Sequence, residues 1–177
     1  YGSKPFIVTD AGIAGLPIFQ ALTRTLDDAS IPWSMTDQIS PNPMAQECER
    51  AAQQFRSSGC DLIIGFGGGS ALDGAKGVAL MANHTGRIVD YDDALGGYDR
   101  IEDNIPPMLC VPTTAGTGSE VGRSTVVIDE ETNRKVVVFS PYLMPKVALL
   151  DPELMIGLPA HITAATGFDA LTHNLEA

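Results

Sequence analysis

A continuous apolar run that leads into a glycine-rich turn constrains this chain more than any other feature. The run 61–64 (DLII) is followed at once by 65–70 (GFGGGS), and the Ala-rich segment from Ala71 to Asn83 comes next. An uninterrupted apolar run is typical of a strand that is buried on both faces of a sheet. Glycines between a strand and a helix let backbone N–H groups approach a phosphate, and the helix N-terminus favours negative charge. The pattern therefore favours a phosphate cradle, although a tight turn without a ligand has the same spacing.

The glycine turn matches known phosphate-binding fingerprints only in part. Gly65-Phe66-Gly67 begins a G-x-G-x-x-G motif, but Ser70 stands where the third glycine belongs. Lys76 follows Ala75, so the G-K-[ST] ending of a P-loop kinase is absent. Ser70 is expected either to cap the following helix or to bond a phosphate oxygen.

The remaining segments alternate between helical and extended patterns. Helices are predicted from Pro17 to about Ala29, from an N-cap at Asn42 to a stop at Gly59, and from about Ala160 to Ala177. Strands are predicted at Phe6–Val8, Trp33–Met35, Met108–Val111 and Lys146–Leu150, with an antiparallel hairpin at Ser124–Ile128 and Lys135–Phe139. The segment from His84 to Pro107 is expected to be a loop with short structured pieces. The fold class predicted from this order is α/β, with a Rossmann-like, mostly parallel sheet and an added β-hairpin.

Composition and charge limit the classes of partner. Apolar residues make up 44% of the chain, and no apolar run reaches the roughly 20 residues of a membrane-spanning helix. The net charge is −11, which disfavours nucleic-acid binding because phosphate backbones are repelled. Three widely spaced cysteines, Cys48, Cys60 and Cys110, predict buried reduced thiols and a cytoplasmic setting.

Two further segments carry candidate ligand groups. The loop 112–120 (PTTAGTGSE) follows a predicted strand and holds four hydroxyls, and open α/β sheets bind ligands at that edge. A solvated loop has the same composition. In the last helix, Asp169 and His173 stand four positions apart on one face, so both can reach one metal ion. The alternatives for these two residues are a surface Asp–His pair and a helix face that packs on a neighbouring element.

Taken together, three blocks resemble the iron-containing (group III) alcohol dehydrogenase family. They are 67–76 (GGGSALDGAK), 112–121 (PTTAGTGSEV) and 164–176 (AATGFDALTHNLE), and they occur in the family's order. The resemblance implies NAD(H) as cofactor, usually Fe²⁺ and in some members Zn²⁺, and reversible oxidation of small primary alcohols or diols to aldehydes or ketones. It further implies a cytoplasmic homo-oligomer, expected to be a dimer.

The resemblance also implies roles for particular residues. The pyrophosphate loop is matched by Gly68, Gly69 and Ser70, and the second cofactor loop by Thr113, Thr114, Thr117 and Ser119. The acidic residue at the adenosine ribose is matched by Asp10, and other cofactor contacts by Asn42 and Lys135. Two of the four metal ligands are matched by Asp169 and His173. Residues 1–157 are expected to form the dinucleotide-binding domain. Residues 158–177 are expected to begin an otherwise absent all-helical domain.

The family pattern carries two more histidine ligands beyond Ala177 and a strand–helix unit before Tyr1, so the chain is expected to be a fragment that is inactive alone. Two relatives with similar glycine loops, glycerol dehydrogenase and dehydroquinate-synthase-like enzymes, are disfavoured by the block 114–120 (TAGTGSE). A catalytically silent nucleotide-binding module is the alternative from another functional class.

Overall fold

Seven strands, numbered in chain order, form two sheets in the computed structural model, which describes residues 1–177. They are β1 (Pro5–Val8), β2 (Ser34–Thr36), β3 (Leu62–Gly67), β4 (Met108–Pro112), β5 (Ser124–Asp129), β6 (Arg134–Phe139) and β7 (Val147–Ala148). The main sheet has the order β2-β1-β3-β4-β7, and every neighbouring pair in it is parallel. Strands β5 and β6 form a separate antiparallel hairpin. This arrangement confirms the predicted α/β class with an added hairpin.

Five α-helices connect or follow the strands. They are α1 (Ala11–Ala14), α2 (Pro17–Asp28), α3 (Ala45–Ser58), α4 (Gly69–Asn83) and α5 (Ala160–Glu176). Three short 3₁₀ turns lie in the segment between α4 and β4, in agreement with the predicted loop that contains short structured segments. None of the helices combines the length and the hydropathy that crossing a bilayer demands.

The sheet is buried on both faces because consecutive side chains of its central strands enter different cores. Phe6 and Val8 of β1 belong to a cluster of 25 buried residues on the side of α3 and α4. Ile7, between them, belongs to a smaller cluster on the side of α2. All three side chains are at most 1% exposed, and burying each contributes roughly 1.5–3 kcal/mol. This two-sided burial explains the unbroken apolar runs in the sequence.

Helix α4 is the most deeply buried helix, and its small residues explain why. A Cβ on Gly65 of β3 would lie 2.9 Å from the Cβ of Ala75, and one on Gly77 would lie 2.8 Å from the Sγ of Cys48 in α3. The helix therefore packs closely between β3 and α3 with no room for larger side chains. As a result, the N-terminus of α4 is held rigidly at the end of β3.

Several predicted boundaries differ from the structure. The prediction that Asn42 caps α3 is wrong: the helix begins at Ala45, and the carboxylate of Glu47 accepts from the backbone N of Met44 at 3.1 Å. Asn42 lies before it in a left-handed conformation, at φ 60°. The strand at Lys146–Leu150 shortens to β7, because Pro112 at the end of β4 has no N–H to extend the ladder.

Candidate functional site

The carboxyl ends of three neighbouring strands meet at one edge of the main sheet. Asp10 comes after β1, Gly68 after β3 and Thr113 after β4, and the backbone N of Thr113 donates to the carbonyl of Gly67 at 2.9 Å. In a doubly wound sheet of this order, the connections leave on opposite faces at β1 and β3, which opens a crevice there. A cleft of about 1140 Å³ lies at this edge.

The cleft brings together eleven of the twelve residues that the sequence singled out. They are Asp10, Asn42, Gly68, Gly69, Ser70, Thr113, Thr114, Thr117, Lys135, Asp169 and His173. The twelfth, Ser119, is 9% exposed and does not border the cleft. Residues that are far apart in the chain therefore share one concave surface.

The three glycines of the turn differ in what they require. Gly67 has φ +146°, a conformation that L-residues rarely adopt. Gly68 has φ −76° and ψ −177°, and it is the N-cap of α4. A Cβ on Gly68 would lie 3.6 Å from the side chain of Thr114, which is ordinary contact, whereas one on Gly69 would lie 2.6 Å from the Cγ2 of Thr117. A Cβ at Gly69 would therefore force Thr117 to move, whereas one at Gly68 would fit without displacing the protein.

Ser70 and Asn42 meet above the N-terminus of α4. Ser70 is the second residue of the helix and does not cap it, because Gly68 occupies the N-cap position. Its Oγ accepts a hydrogen bond from the backbone N of Asn42 at 3.2 Å. The left-handed backbone of Asn42 turns the segment between two prolines, Pro41 and Pro43, toward the glycine loop. The loop before α3 therefore forms one rim of the cleft.

Charged groups of both signs lie on the cleft walls. The Oδ1 of Asp10 accepts from the backbone N of Ile13 at 3.0 Å and so caps the short helix α1. Its Oδ2 lies 3.6 Å from where a Cβ of Gly67 would be. On the opposite wall, Lys135 of β6 pairs with Ile128 of β5. An exposed cation at this wall favours an anionic ligand in a chain whose net charge is −11.

Helix α5 brings a carboxylate and an imidazole to the same cleft. The Oδ1 of Asp169 and the Nε2 of His173 are 3.6 Å apart, and the two side chains are 44% and 62% exposed. Both atoms are free to turn toward a shared ion. No group of three or more His, Cys, Asp or Glu side chains in residues 1–177 could hold a metal ion. The chain therefore presents two candidate ligands and not a closed metal site.

A polar network extends from Asp73, which lines the cleft, into the protein interior, and the sequence did not reveal it. The Nζ of Lys76 is 2.8 Å from the Oγ of Ser119 and 2.8 Å from the carbonyl of Ser124, and the Oγ of Ser119 donates to Asp73 at 2.7 Å. The Lys76 side chain is 1% exposed. Burial lowers the pKa of Lys76 and raises the pKa of Asp73, while the attraction between the two opposes both shifts.

The only sequence signal for this network was the i, i+3 spacing of Asp73 and Lys76 inside the glycine-loop block. Their partners lie more than 40 positions away, at Ser119, Ser124 and Val126. Local patterns carry no information about such contacts.

The chain is similar to a known protein family and to proteins of solved structure. A family model for iron-containing alcohol dehydrogenase matches residues 1–152. The 4-hydroxybutyrate dehydrogenase of Cupriavidus necator is 41% identical over 173 residues, which are 98% of this chain and 44% of that protein. The crystal structure of a 1,3-propanediol oxidoreductase is 39% identical and superposes with a TM-score of 0.92, over 98% of this chain and 44% of that one.

A third similar protein was solved with a cofactor. The sulfoacetaldehyde reductase from Bifidobacterium kashiwanohense, crystallised in complex with NAD⁺, is 32% identical with a TM-score of 0.88, over 99% of this chain and 45% of that one. The chain thus spans less than half the length of each of these three relatives.

Proposed function

Because the chain belongs to the iron-containing alcohol dehydrogenase family, we propose that its cleft binds NAD(H) for a metal-dependent oxidoreductase. The reaction is reversible hydride transfer between NAD(H) and small primary alcohols or diols, giving aldehydes or ketones. The names of two relatives, 4-hydroxybutyrate dehydrogenase and 1,3-propanediol oxidoreductase, support this class of substrate.

One observation carries the proposal: a glycine at which the protein itself would tolerate a side chain stands at the helix N-terminus that lines the cleft. The backbone angles of Gly68 are accessible to any L-residue, and a Cβ there would make only ordinary van der Waals contacts. The fold itself does not require the absence of a side chain at this position. A ligand that approaches the backbone closely explains that absence. In our proposal the N–H groups of Gly68, Gly69 and Ser70 hold the pyrophosphate of NAD(H).

The other cleft residues are assigned to parts of NAD(H) by the strand after which each one lies. We assign Asp10, after β1, to the adenosine ribose, where a carboxylate accepts from the hydroxyls and repels a 2′-phosphate. Thr113, Thr114 and Thr117, after β4, then lie toward the nicotinamide side. Asn42 and Lys135 supply contacts at the rim. Ser119 acts through the position of its loop, because Lys76 and Asp73 occupy its hydroxyl.

Asp169 and His173 are proposed as two ligands of the catalytic metal. A carboxylate and an imidazole suit either Fe²⁺ or Zn²⁺, and the 3.6 Å between their nearest atoms is compatible with binding one ion. The bound metal supplies Lewis-acid polarisation of the substrate oxygen. A catalytic site needs at least three protein ligands, so the proposal requires further ligands beyond the two in residues 1–177.

We also propose a division of the chain at residue 157. Residues 1–157 form the dinucleotide-binding domain, and residues 158–177 belong to a helical unit that carries the metal. The support is that α5 has no buried residue, and its apolar side chains Phe168, Leu171 and Leu175 are 70%, 51% and 76% exposed. Such a face needs a packing partner. A cytoplasmic homo-oligomer, expected to be a dimer, stays part of the proposal.

The test is NADH formation by the native protein under anaerobic conditions with added Fe²⁺ or Zn²⁺. We expect turnover with 1,3-propanediol and with 4-hydroxybutyrate, loss of turnover after chelation, and tighter binding of NADH than of NADPH in fluorescence titrations. Binding of NADH without turnover under any metal would favour the silent nucleotide-binding module. Absence of NADH binding would overturn the assignment of the cleft.

A further inference from the structure

The amine of Lys76 is buried inside the protein, and both of its hydrogen-bond partners belong to other elements. Its side chain is 1% exposed, and its Nζ donates to the Oγ of Ser119 and to the carbonyl of Ser124, each at 2.8 Å. Asp73, one turn earlier in α4, lies 3.8 Å away. A buried charge is costly unless it is paired and hydrogen-bonded. Lys76 therefore holds its partners firmly in place.

The partners of Lys76 and Asp73 come from the two segments that close the cleft. Ser119 lies at the end of the hydroxyl loop 113–119, and Ser124 begins the hairpin strand β5. Asp73 adds three bonds: it accepts from the Oγ of Ser119 at 2.7 Å, from the backbone N of Val126 at 3.2 Å and, through its carbonyl, from the Oγ1 of Thr125 at 2.7 Å. One turn of α4 thus anchors both walls.

The hydroxyl loop is fixed at its first residue by the bond from the backbone N of Thr113 to the carbonyl of Gly67, and at its last residue by the bonds of Ser119. Two residues of the loop, Gly116 and Gly118, are glycines, and Gly118 has φ +65°. Yet the loop packs so closely that a Cβ on Gly69 would lie 2.6 Å from the Cγ2 of Thr117. A loop with two glycines pays conformational entropy for such a fixed position. The bonds to Ser119 supply a compensating constraint.

Resting on the proposed function, we propose that Lys76 is a positioning residue that fixes the hydroxyl loop and β5 for the nicotinamide half of NAD(H). Lys76 itself does not border the cleft. It acts through Ser119 and Asp73. Because the loop follows β4, on the far side of β3 from Asp10, losing the anchor affects the nicotinamide side more than the adenosine side.

The experiment compares NADH with AMP as ligands of the native protein. In Lys76→Met, which keeps the apolar stem and removes the amine, we expect the Kd for NADH to rise about tenfold or more, because a smaller fraction of the protein then holds the loop in the binding position. The Kd for AMP should stay within about twofold. A general loss of structure would weaken both ligands together.

Val78→Ala is the matched control, because Val78 is fully buried on the same helix and belongs to the apolar core, not to the network. This variant should lower the Tm without changing the ratio of the two Kd values. If Lys76→Met does not fold, Ser119→Ala removes the bridging hydroxyl alone and should shift the same ratio in the same direction.

The outcomes separate the two proposals. If the wild-type protein fails to bind NADH, the proposed function is overturned and this inference falls with it. If the wild-type protein binds NADH, the deciding quantity is the ratio of the Kd for NADH to the Kd for AMP. Only the positioning role is overturned if this ratio is the same in Lys76→Met as in Val78→Ala. Where Lys76→Met does not fold, the same comparison is made with Ser119→Ala.

Discussion

Replacing Gly68 by alanine separates a glycine kept for a ligand from one kept for the fold. The backbone of Gly68, at φ −76° and ψ −177°, is accessible to alanine, and the new Cβ would lie 3.6 Å from the Thr114 side chain. Reduced freedom of the unfolded chain stabilises such a replacement by about 0.4–1 kcal/mol. Alanine is a poorer N-cap than glycine by a similar amount. We therefore expect the free energy of unfolding to stay within about 1 kcal/mol of wild type.

Cofactor binding should respond quite differently. The methyl group occupies the space through which a pyrophosphate oxygen reaches the backbone N–H groups at the start of α4. Losing one hydrogen bond to a charged group costs about 1.5–3 kcal/mol, which corresponds to a rise in Kd of roughly ten- to hundredfold. Gly68→Val, with a bulkier side chain, should abolish NADH binding.

Two further glycines serve as controls for this prediction. Gly69→Ala places a Cβ 2.6 Å from the Cγ2 of Thr117, so it should lower stability by about 1–3 kcal/mol through the strain of moving the loop. Gly15→Ala, at φ −83° with nothing within 4 Å of its Cβ, should raise the free energy of unfolding by about 0.4–1 kcal/mol and leave NADH binding unchanged. Gly15 does not border the cleft.

The assay pairs urea denaturation with NADH titration followed by fluorescence, on the same protein samples. The reasoning is refuted if Gly68→Ala and Gly68→Val bind NADH as tightly as wild type while remaining folded. It is also refuted if Gly68→Ala unfolds as readily as Gly69→Ala, because the open space at Gly68 would then be needed by the fold.

The remaining predictions concern the ribose carboxylate and the metal ligands. Asp10→Gly should narrow the preference for NADH over NADPH, and Asp10→Asn, which keeps an oxygen to cap the backbone N of Ile13, should do so with less loss of stability; an unchanged ratio of the two Kd values would show that Asp10 does not discriminate. The polypeptide 1–177, with only Asp169 and His173 as ligands, should retain no stoichiometric Fe²⁺ or Zn²⁺ after dialysis and should oxidise no alcohol; metal retained together with turnover would contradict this.

Local sequence patterns were sufficient to predict the elements that lead to the cleft. The apolar run 61–64 and the glycines after it predicted a buried strand, a turn and a helix, and β3 and α4 follow in that order. Two β-rich runs separated by a polar turn predicted the hairpin of β5 and β6. These predictions succeed because continuous apolar runs and polar or glycine-rich turns are properties of residues that are close in the chain.

Asn42 shows where local reasoning fails. Its side chain suits an N-cap, but the helix begins three residues later, because Glu47 accepts from the backbone N of Met44 and from Ser40. A capping preference taken from one residue does not account for the bonds that Glu47 makes to Ser40 and Met44 before the helix.

The sequence by itself determined the type and order of the elements, the glycine turn at a strand end, and the shared helix face of Asp169 and His173. Only the tertiary structure decided that the strand ends of β1, β3 and β4 share one cleft, and that Ser119 turns away from it to join Lys76 and Asp73. The physical reason is the range of the interactions. Helical and strand periodicity is set by neighbouring residues, whereas a buried cation is stabilised by whichever polar groups the folded chain brings to it, here from more than 40 positions away.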